Sequence, residues 1–242
     1  MAKRQHIELP AGTFSYLDQG DGPPLVLVHA LGRSAADWNP VLDRLAARRR
    51  CLAVDVRGHG DSQRCDEYSF DAMESDLRAF VDALDLDAVA LAGHSMGANV
   101  AWRFAARSPD RLTHLVIEDT APPSPDQRVP EPPAEPPEPV DFDWAVVGRI
   151  IGELNAADTT WWDRLPSITT RTLLISGSTE DDHLARAHEL LSDAELVHLP
   201  VGHWIHETAP EEYCDHLARF LGDGWASAGL GLDRGEARDL GC

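Results

Sequence analysis

Ser95 lies at the centre of the segment Gly93-His94-Ser95-Met96-Gly97. The segment follows the apolar stretch DAVALA and precedes a run with helical spacing, MGANVAWRFAAR. A serine at so sharp a strand-to-helix turn projects its hydroxyl from the edge of a sheet, and the small residues two places before and after it permit the crowding. The helix N-terminus also directs amide donors at negative charge that develops nearby. The segment therefore predicts a nucleophilic serine at position 95.

The segments that must position this serine alternate between two patterns. Short continuous apolar runs are typical of buried strands, and apolar residues three or four positions apart are typical of helices. The predicted strands are 24–29, 51–55, 88–92, 115–118, 172–176 and 195–199, and a hairpin of 6–9 with 13–17 precedes them. The predicted helices are 35–47, 69–84, 96–107, 185–191 and 211–221. Repeated strand-helix units predict an α/β fold with a mostly parallel central sheet flanked by helices. Reactive groups in such sheets gather at the carboxyl ends of the strands.

A proline tract interrupts this alternation. Nine prolines lie between Pro122 and Pro139, and proline excludes both a helix and a central strand. We interpret the tract as an extended linker that leads to a short helical segment at 142–155; a ligand for an SH3-like partner is the alternative interpretation. The predicted organisation is a core of residues 1–120 and 169–222, a Pro-rich linker and small lid of residues 121–168, and a loose C-terminal tail of residues 223–242.

Charge and composition narrow the classes of function. The chain of 242 residues carries 41 acidic against 21 basic residues, a formal net charge of −20, which disfavours binding to a nucleic acid or to an anionic membrane surface. No signal-like or membrane-spanning apolar run is present, so we expect a cytoplasmic protein. The four cysteines form no CxxC pair, which favours reduced thiols.

Three further segments accompany GHSMG along the chain in a fixed order. They are LVLVHALG at 25–32, DVRGHGDS at 55–62 and VGHWIHETAPEEY at 201–213. With these segments, residues 6–221 resemble the α/β-hydrolase fold family. The resemblance implies a serine hydrolase in which His203 is the general base for Ser95, and in which a carboxylate orients the imidazole.

The resemblance places this carboxylate after the strand at 172–176. We choose Asp181, because the acid commonly falls three or four positions after a glycine, here Gly177. Other members of the family have the acid after the preceding strand. The alternatives to Asp181 are therefore Glu180, Asp182, Glu118 and Asp119.

The remaining site assignments concern the oxyanion and the substrate. The resemblance implies that the backbone amides of Leu31 and Met96 form the oxyanion hole, although Ala30 replaces the family's usual glycine after His29. A residue other than glycine adopts positive φ less easily, which affects the expected shape of this loop. The substrate-binding residues that we predict are Trp38, Trp162 and Trp204.

These features predict an enzyme that cleaves a small, fairly apolar carboxylic ester, or a related lactone or thioester, through an acyl-serine intermediate. A C–C hydrolase or perhydrolase with the same residues is an alternative, and so is a weakly catalytic or non-catalytic small-molecule-binding protein. Neither HExxH nor GxGxxG occurs in the expected setting, so we expect no metal and no cofactor. The sequence does not indicate a particular protein partner.

Overall fold

One eight-stranded sheet forms the centre of the described part of the molecule, which comprises residues 2–223 of a computed structural model. Its strands are β1 (Lys3–Leu9), β2 (Gly12–Gln19), β3 (Pro24–Val28), β4 (Arg50–Val54), β5 (Val89–His94), β6 (Leu112–Glu118), β7 (Thr172–Ser176) and β8 (Ala194–His198). The order is β1-β2-β4-β3-β5-β6-β7-β8. The β1-β2 and β2-β4 pairs are antiparallel and the other pairs are parallel. The predicted α/β class with a mostly parallel sheet is confirmed.

Helices cover both faces of this sheet. They are α1 (Asn39–Leu45), α2 (Phe70–Ala83), α3 (Met96–Arg107), α4 (Ala145–Asn155), α5 (Thr160–Arg164), α6 (Asp182–Leu190), α7 (Ile205–Thr208) and α8 (Pro210–Phe220). Apolar residues of α2, α3, α4 and α6 share one core layer, and those of α1 and α8 share the other. Within residues 2–223, no helix combines the length and apolar character needed to cross a membrane.

The two core layers explain the continuous apolar runs of the central strands. In β3, Val26 and Val28 belong to the layer under α2 and α3, whereas Leu25 and Leu27 belong to the layer under α1 and α8. Successive side chains of a strand point to opposite faces, and all four of these side chains have no solvent exposure. A strand covered on both faces therefore has no polar alternation.

The predicted helix at 35–47 is divided in the structure. A 3₁₀ turn, Ala35–Trp38, precedes α1, and Pro40 lies in the first turn of α1. Proline has no amide hydrogen and is tolerated only in the first turn of a helix. Pro40 therefore requires α1 to begin close to this position, which separates α1 from the preceding 3₁₀ turn.

The proline tract crosses the molecule without helix or strand and leads into α4. Side chains of the following helical segment hold its backbone carbonyls at three points. The bonds run from Trp162 Nε1 to Pro123 O (3.0 Å), from Asn155 Nδ2 to Val129 O (2.9 Å) and from Trp144 Nε1 to Pro133 O (3.0 Å). Proline lacks a donor but keeps its carbonyl acceptor, so the tract accepts hydrogen bonds at these points. At Val129 it also donates, from its amide to Asn155 Oδ1 at 2.9 Å.

Three of the four cysteines lie within residues 2–223. Cys51, Cys65 and Cys214 are free thiols, two of them buried. Cys242 and almost all of the tail predicted for residues 223–242 fall outside the described residues, so that prediction stays a prediction.

Candidate active site

The turn that carries Ser95 connects β5 to α3. Ser95 has φ 53° and ψ −113°, a conformation that residues other than glycine rarely adopt and that costs on the order of 1–3 kcal/mol. A Cβ atom on Gly93 would lie 2.3 Å from Gly97 O, and one on Gly97 would lie 2.2 Å from Val28 O. The two glycines therefore allow the close backbone approach on which the strained turn depends.

An aspartate–histidine pair lies beyond the ends of β6 and β8. His203 Nδ1 is 2.7 Å from Asp119 Oδ2, and Asp119 Oδ1 accepts a hydrogen bond of 2.6 Å from the amide of Gly177. Asp119 follows β6 directly and has φ 51°. Both oxygens of this carboxylate thus have partners, which fixes its orientation relative to the imidazole.

The loops after β7 and β8 are packed tightly against each other. The amide of Gly202 donates to Gly177 O at 3.1 Å, and a Cβ atom on Gly177 would lie only 2.1 Å from Gly202 O. Gly177 binds the Asp119 carboxylate and Gly202 precedes His203. This contact therefore sets the position of the His203 imidazole relative to the Asp119 carboxylate.

The expectation that Asp181 lies beside His203 is wrong. Asp181 is the N-cap of α6, where its Oδ1 accepts a hydrogen bond of 2.9 Å from the amide of Leu184. The helix begins at Asp182, immediately after this residue, so the carboxylate serves the unpaired amides of the first turn. Among the five acidic residues considered, Asp119 is the one that contacts His203.

The imidazole of His203 lies next to the turn that carries the serine. The ring of His94, the residue before Ser95, has its centroid 4.6 Å from that of His203. The carbonyl of Glu118, the residue before Asp119, accepts a hydrogen bond of 3.5 Å from the amide of Ser95. The three residues Ser95, Asp119 and His203 therefore lie together at the carboxyl edge of the sheet, as such folds require.

The loop after β3 has an ordered shape despite Ala30. Ala30 is buried and is not among the described residues with positive φ, whereas Gly32 has φ 72°. The amide of Gly32 donates to His59 Nε2 at 3.0 Å. The left-handed position thus falls two residues after Ala30, and an alanine is compatible with the turn.

A cavity of about 460 Å³ opens beside the serine. Its lining combines the serine turn, the loop after β3, α2, α4 and the proline tract. The lining residues are Leu31, Phe70, Ser95, Met96, Asn99, Thr120, Ala121, Pro123, Ser124, Gln127, Arg128, Val129, Ile150 and Leu154. Leu31 and Met96, predicted as oxyanion donors, therefore border the same space as Ser95. Sequence reasoning missed Phe70, Ile150 and Leu154, although the last two lie one turn apart on α4.

The prediction that tryptophans line the substrate pocket is wrong for Trp38 and Trp162. Trp38 has no solvent exposure and stacks on His206, with ring centroids 4.0 Å apart. Trp162 is buried and donates to the backbone carbonyl of Pro123. Trp204 is 38% exposed and packs against His203, with ring centroids 5.3 Å apart, so its role stays a prediction. The apolar part of the cavity wall is aliphatic except for Phe70.

Burial keeps several histidines around the site uncharged. It lowers the pKa of His59 to about 3 and that of His94 to about 4, in both cases mainly because the charged ring would lose its hydration. The pKa of His29 is also lowered by burial. His29 instead uses its neutral ring for structure, accepting from the amide of Val56 at 3.1 Å. Near neutral pH these rings contribute no positive charge to the site.

A buried cluster of potential metal ligands lies behind the site. His94, Glu118 and His206 bring one ligand atom each to within 4.8 Å of one another. His206 Nδ1 is 2.8 Å from both carboxylate oxygens of Glu118. The described contacts therefore define a hydrogen-bonded carboxylate–imidazole pair at this position.

Comparisons with known proteins agree with this architecture. A family model for the alpha/beta hydrolase fold matches residues 23–165 of the 242, and the chain belongs to this family. The sn-1-specific diacylglycerol lipase ABHD11 of Mus musculus is 37% identical over 114 residues, 46% of this chain and 37% of that protein. The 2-hydroxy-6-oxo-2,4-heptadienoate hydrolase of Pseudomonas putida is 38% identical over 105 residues, 41% of this chain and 38% of that protein.

The solved structures resemble the chain over most of its length. A hydrolase from Pseudomonas aeruginosa PA01 superimposes with a TM-score of 0.78 at 22% identity, over 91% of this chain and 98% of that one. At this identity the likeness concerns the fold. The chain spans less than half the length of the curated relatives it matches.

Because these histidines are buried and uncharged, we expect the free energy of unfolding to fall on mild acidification. The unfolded chain binds a proton at each histidine near pH 6.5, whereas His59 and His94 in the folded protein bind one only near pH 3 and pH 4. Stability is therefore complete above pH 6.5 and declines below it, by about 1.4 kcal/mol per pH unit for each such histidine. Urea unfolding between pH 7 and pH 5, above the range of most carboxylates, measures this slope.

A pair of variants isolates the contribution of one ring. His59→Gln keeps an acceptor for the amide of Gly32 and removes the titration, so the pH dependence should become less steep by the share of one proton. His6→Gln, at an exposed position of β1, is the matched control and should leave the slope unchanged. An equal slope in His59→Gln and in the wild type would refute the assignment.

Proposed function

We propose that the protein is a serine hydrolase that cleaves a small, fairly apolar carboxylic ester, or a related lactone or thioester, through an acyl-Ser95 intermediate. One observation carries the proposal: the bond of 2.7 Å between Asp119 and His203, beside the turn on which Ser95 is held. A serine, an imidazole and a carboxylate in this order form the proton-transfer unit of acyl-transfer enzymes.

In the proposed reaction, Ser95 Oγ attacks the carbonyl carbon while its proton passes to His203 Nε2. Asp119 accepts a hydrogen bond from His203 Nδ1, which fixes the tautomer and stabilises the imidazolium that forms. The amides of Leu31 and Met96 donate to the developing oxyanion. His203 then returns the proton to the leaving alcohol, and a water molecule activated by His203 releases the acid in the second half of the reaction.

The cavity supports the class of substrate. Its walls include the apolar side chains of Phe70, Ile150 and Leu154, and its volume of about 460 Å³ suits a small molecule. Relatives that match the chain in sequence have different activities, a diacylglycerol lipase and a dienoate hydrolase among them, so the proposal is limited to the general class of small acyl substrates.

Removal of the serine hydroxyl tests the proposal directly. A fluorophosphonate probe should label the wild type, and the wild type should hydrolyse p-nitrophenyl acetate and butyrate. Ser95→Ala should lose labelling and at least about a thousandfold of kcat, since the nucleophile is gone. If folded wild type shows neither labelling nor turnover, a small-molecule-binding protein replaces the enzyme as the favoured function.

A second pair of variants tests which carboxylate serves the imidazole. Asp119→Asn should lower kcat by about a thousandfold or more, because the amide no longer fixes the productive tautomer of His203. Asp181→Asn is the matched control, because asparagine caps a helix about as well as aspartate and should leave both kcat and stability close to wild type. Steady-state kinetics and urea unfolding of both variants separate the two assignments. A large loss of kcat in Asp181→Asn with wild-type kcat in Asp119→Asn would contradict the role of Asp119.

The cavity predicts a dependence on acyl-chain length. Each methylene that leaves water for an apolar wall is worth about 0.8 kcal/mol, so kcat/KM should rise about fourfold per methylene until the chain fills the space. Leu154→Trp should reduce kcat/KM for p-nitrophenyl hexanoate while sparing the acetate. Leu154→Ala should shift the optimum to longer chains, and an unchanged length profile in both variants would place the acyl chain elsewhere.

A further inference from the structure

A second carboxylate–imidazole pair lies behind the first. Glu118 and His206 are almost completely buried, with exposures of 0% and 1%. Glu118 Oε1 accepts hydrogen bonds from both the backbone amide of His206, at 3.0 Å, and its Nδ1, at 2.8 Å. The pair therefore ties the end of β6 to the first turn of α7.

The members of this cluster are neighbours in sequence of the proposed catalytic residues. His94 precedes Ser95, Glu118 precedes Asp119, and His206 follows His203 by three residues. The ring of His94 lies between the two imidazoles, with centroids 4.6 Å from that of His203 and 5.2 Å from that of His206. The ring of His94 is therefore a point of contact between the buried pair and the proposed site.

Glu118 is linked directly to two of the three proposed catalytic residues, Ser95 and Asp119. Its backbone carbonyl accepts from the amide of Ser95 at 3.5 Å, its side chain holds His206, and its peptide bond continues into Asp119. His203, by contrast, has a side chain that is 40% exposed. The position of His203 consequently depends on its hydrogen bond to Asp119 and on the backbone that carries it.

Because burying a charged group costs free energy, we do not expect this pair to exist chiefly to stabilise the folded protein. Ionised groups taken out of water lose their hydration, and buried pairs are often replaced by apolar residues without loss of stability. Burial alone would raise the pKa of Glu118, but the hydrogen bonds from His206 bring that pKa below its usual value. A charged carboxylate is thus kept in the core where an apolar side chain could pack.

We propose that Glu118 and His206 are positioning residues: their buried hydrogen bonds hold the strand end and the loop in the register that keeps His203 Nδ1 on the Asp119 carboxylate. This role rests on the function proposed above. It predicts that the pair can be replaced without loss of folding but with loss of turnover.

The decisive variant replaces both residues by apolar ones. Glu118→Leu/His206→Leu removes the buried carboxylate together with its imidazole partner, so the urea midpoint should stay close to that of the wild type or rise. The kcat for p-nitrophenyl butyrate should fall roughly 10- to 100-fold, with KM changed less than about twofold, because binding in the cavity is untouched. Wild-type kcat in this folded double variant would overturn the proposal.

Single substitutions at His206 provide the rescue experiment. His206→Asn places an amide donor where Nδ1 stood and should retain activity within about threefold. His206→Leu removes the donor and should lose activity about as far as the double variant does. If the double variant does not fold, this pair decides: equal kcat in His206→Asn and His206→Leu would contradict positioning through the hydrogen bond.

A measurement without turnover keeps the two proposals distinguishable. In protein labelled with ¹⁵N-histidine, ring nitrogen shifts report whether His203 holds its proton at Nδ1, as a hydrogen bond to Asp119 requires. We expect this tautomer in the wild type and in His206→Asn, and a mixture in the double variant. If the wild type fails to react with the fluorophosphonate yet shows this pattern, the proposed function fails and the positioning role stands; an unchanged tautomer in every variant would refute the positioning role.

Discussion

The hydrogen bond between Asp119 and His203 joins residues that are 84 positions apart, and much of the architecture at the carboxyl edge of the sheet exists around it. Asp119 follows β6, His203 lies in the loop after β8, and the loop after β7 supplies the amide of Gly177 that orients the carboxylate. Each of these strands is parallel to its neighbour. Parallel pairing brings the three strand ends to one edge, although the intervening segments of chain are long.

Backbone strain is concentrated at the same edge. Ser95 and Asp119 are two of the three non-glycine residues with positive φ among the described residues, and they follow the neighbouring strands β5 and β6. Such conformations persist only where the surroundings hold them. Here the surroundings are the glycine contacts of the serine turn and the bond from Gly177, so the proposed nucleophile and its acid depend on local packing of the same kind.

The sequence allowed the fold and the serine turn to be predicted because both have local signals. Two-sided burial gives apolar runs, helices give apolar stripes, and the turn needs glycines at fixed places. The partner of His203 has no such signal: Asp119 and Asp181 each follow a strand of the sheet, and only the geometry of the loops determines which carboxylate meets the imidazole. Asp181 caps α6 because that helix begins at the next residue.

The prediction that Trp38 and Trp162 line the pocket was wrong for a related reason: composition does not indicate the direction in which a side chain points. Trp38 and Trp162 face the interior, and the cavity is closed partly by the proline tract, from Pro123 to Val129. Proline restricts the unfolded chain more than other residues do, so less conformational entropy is lost when such a segment is fixed. Hydrogen bonds from Trp144, Asn155 and Trp162 then fasten its carbonyls. A wall fastened in this way needs little further ordering when a small molecule enters the cavity.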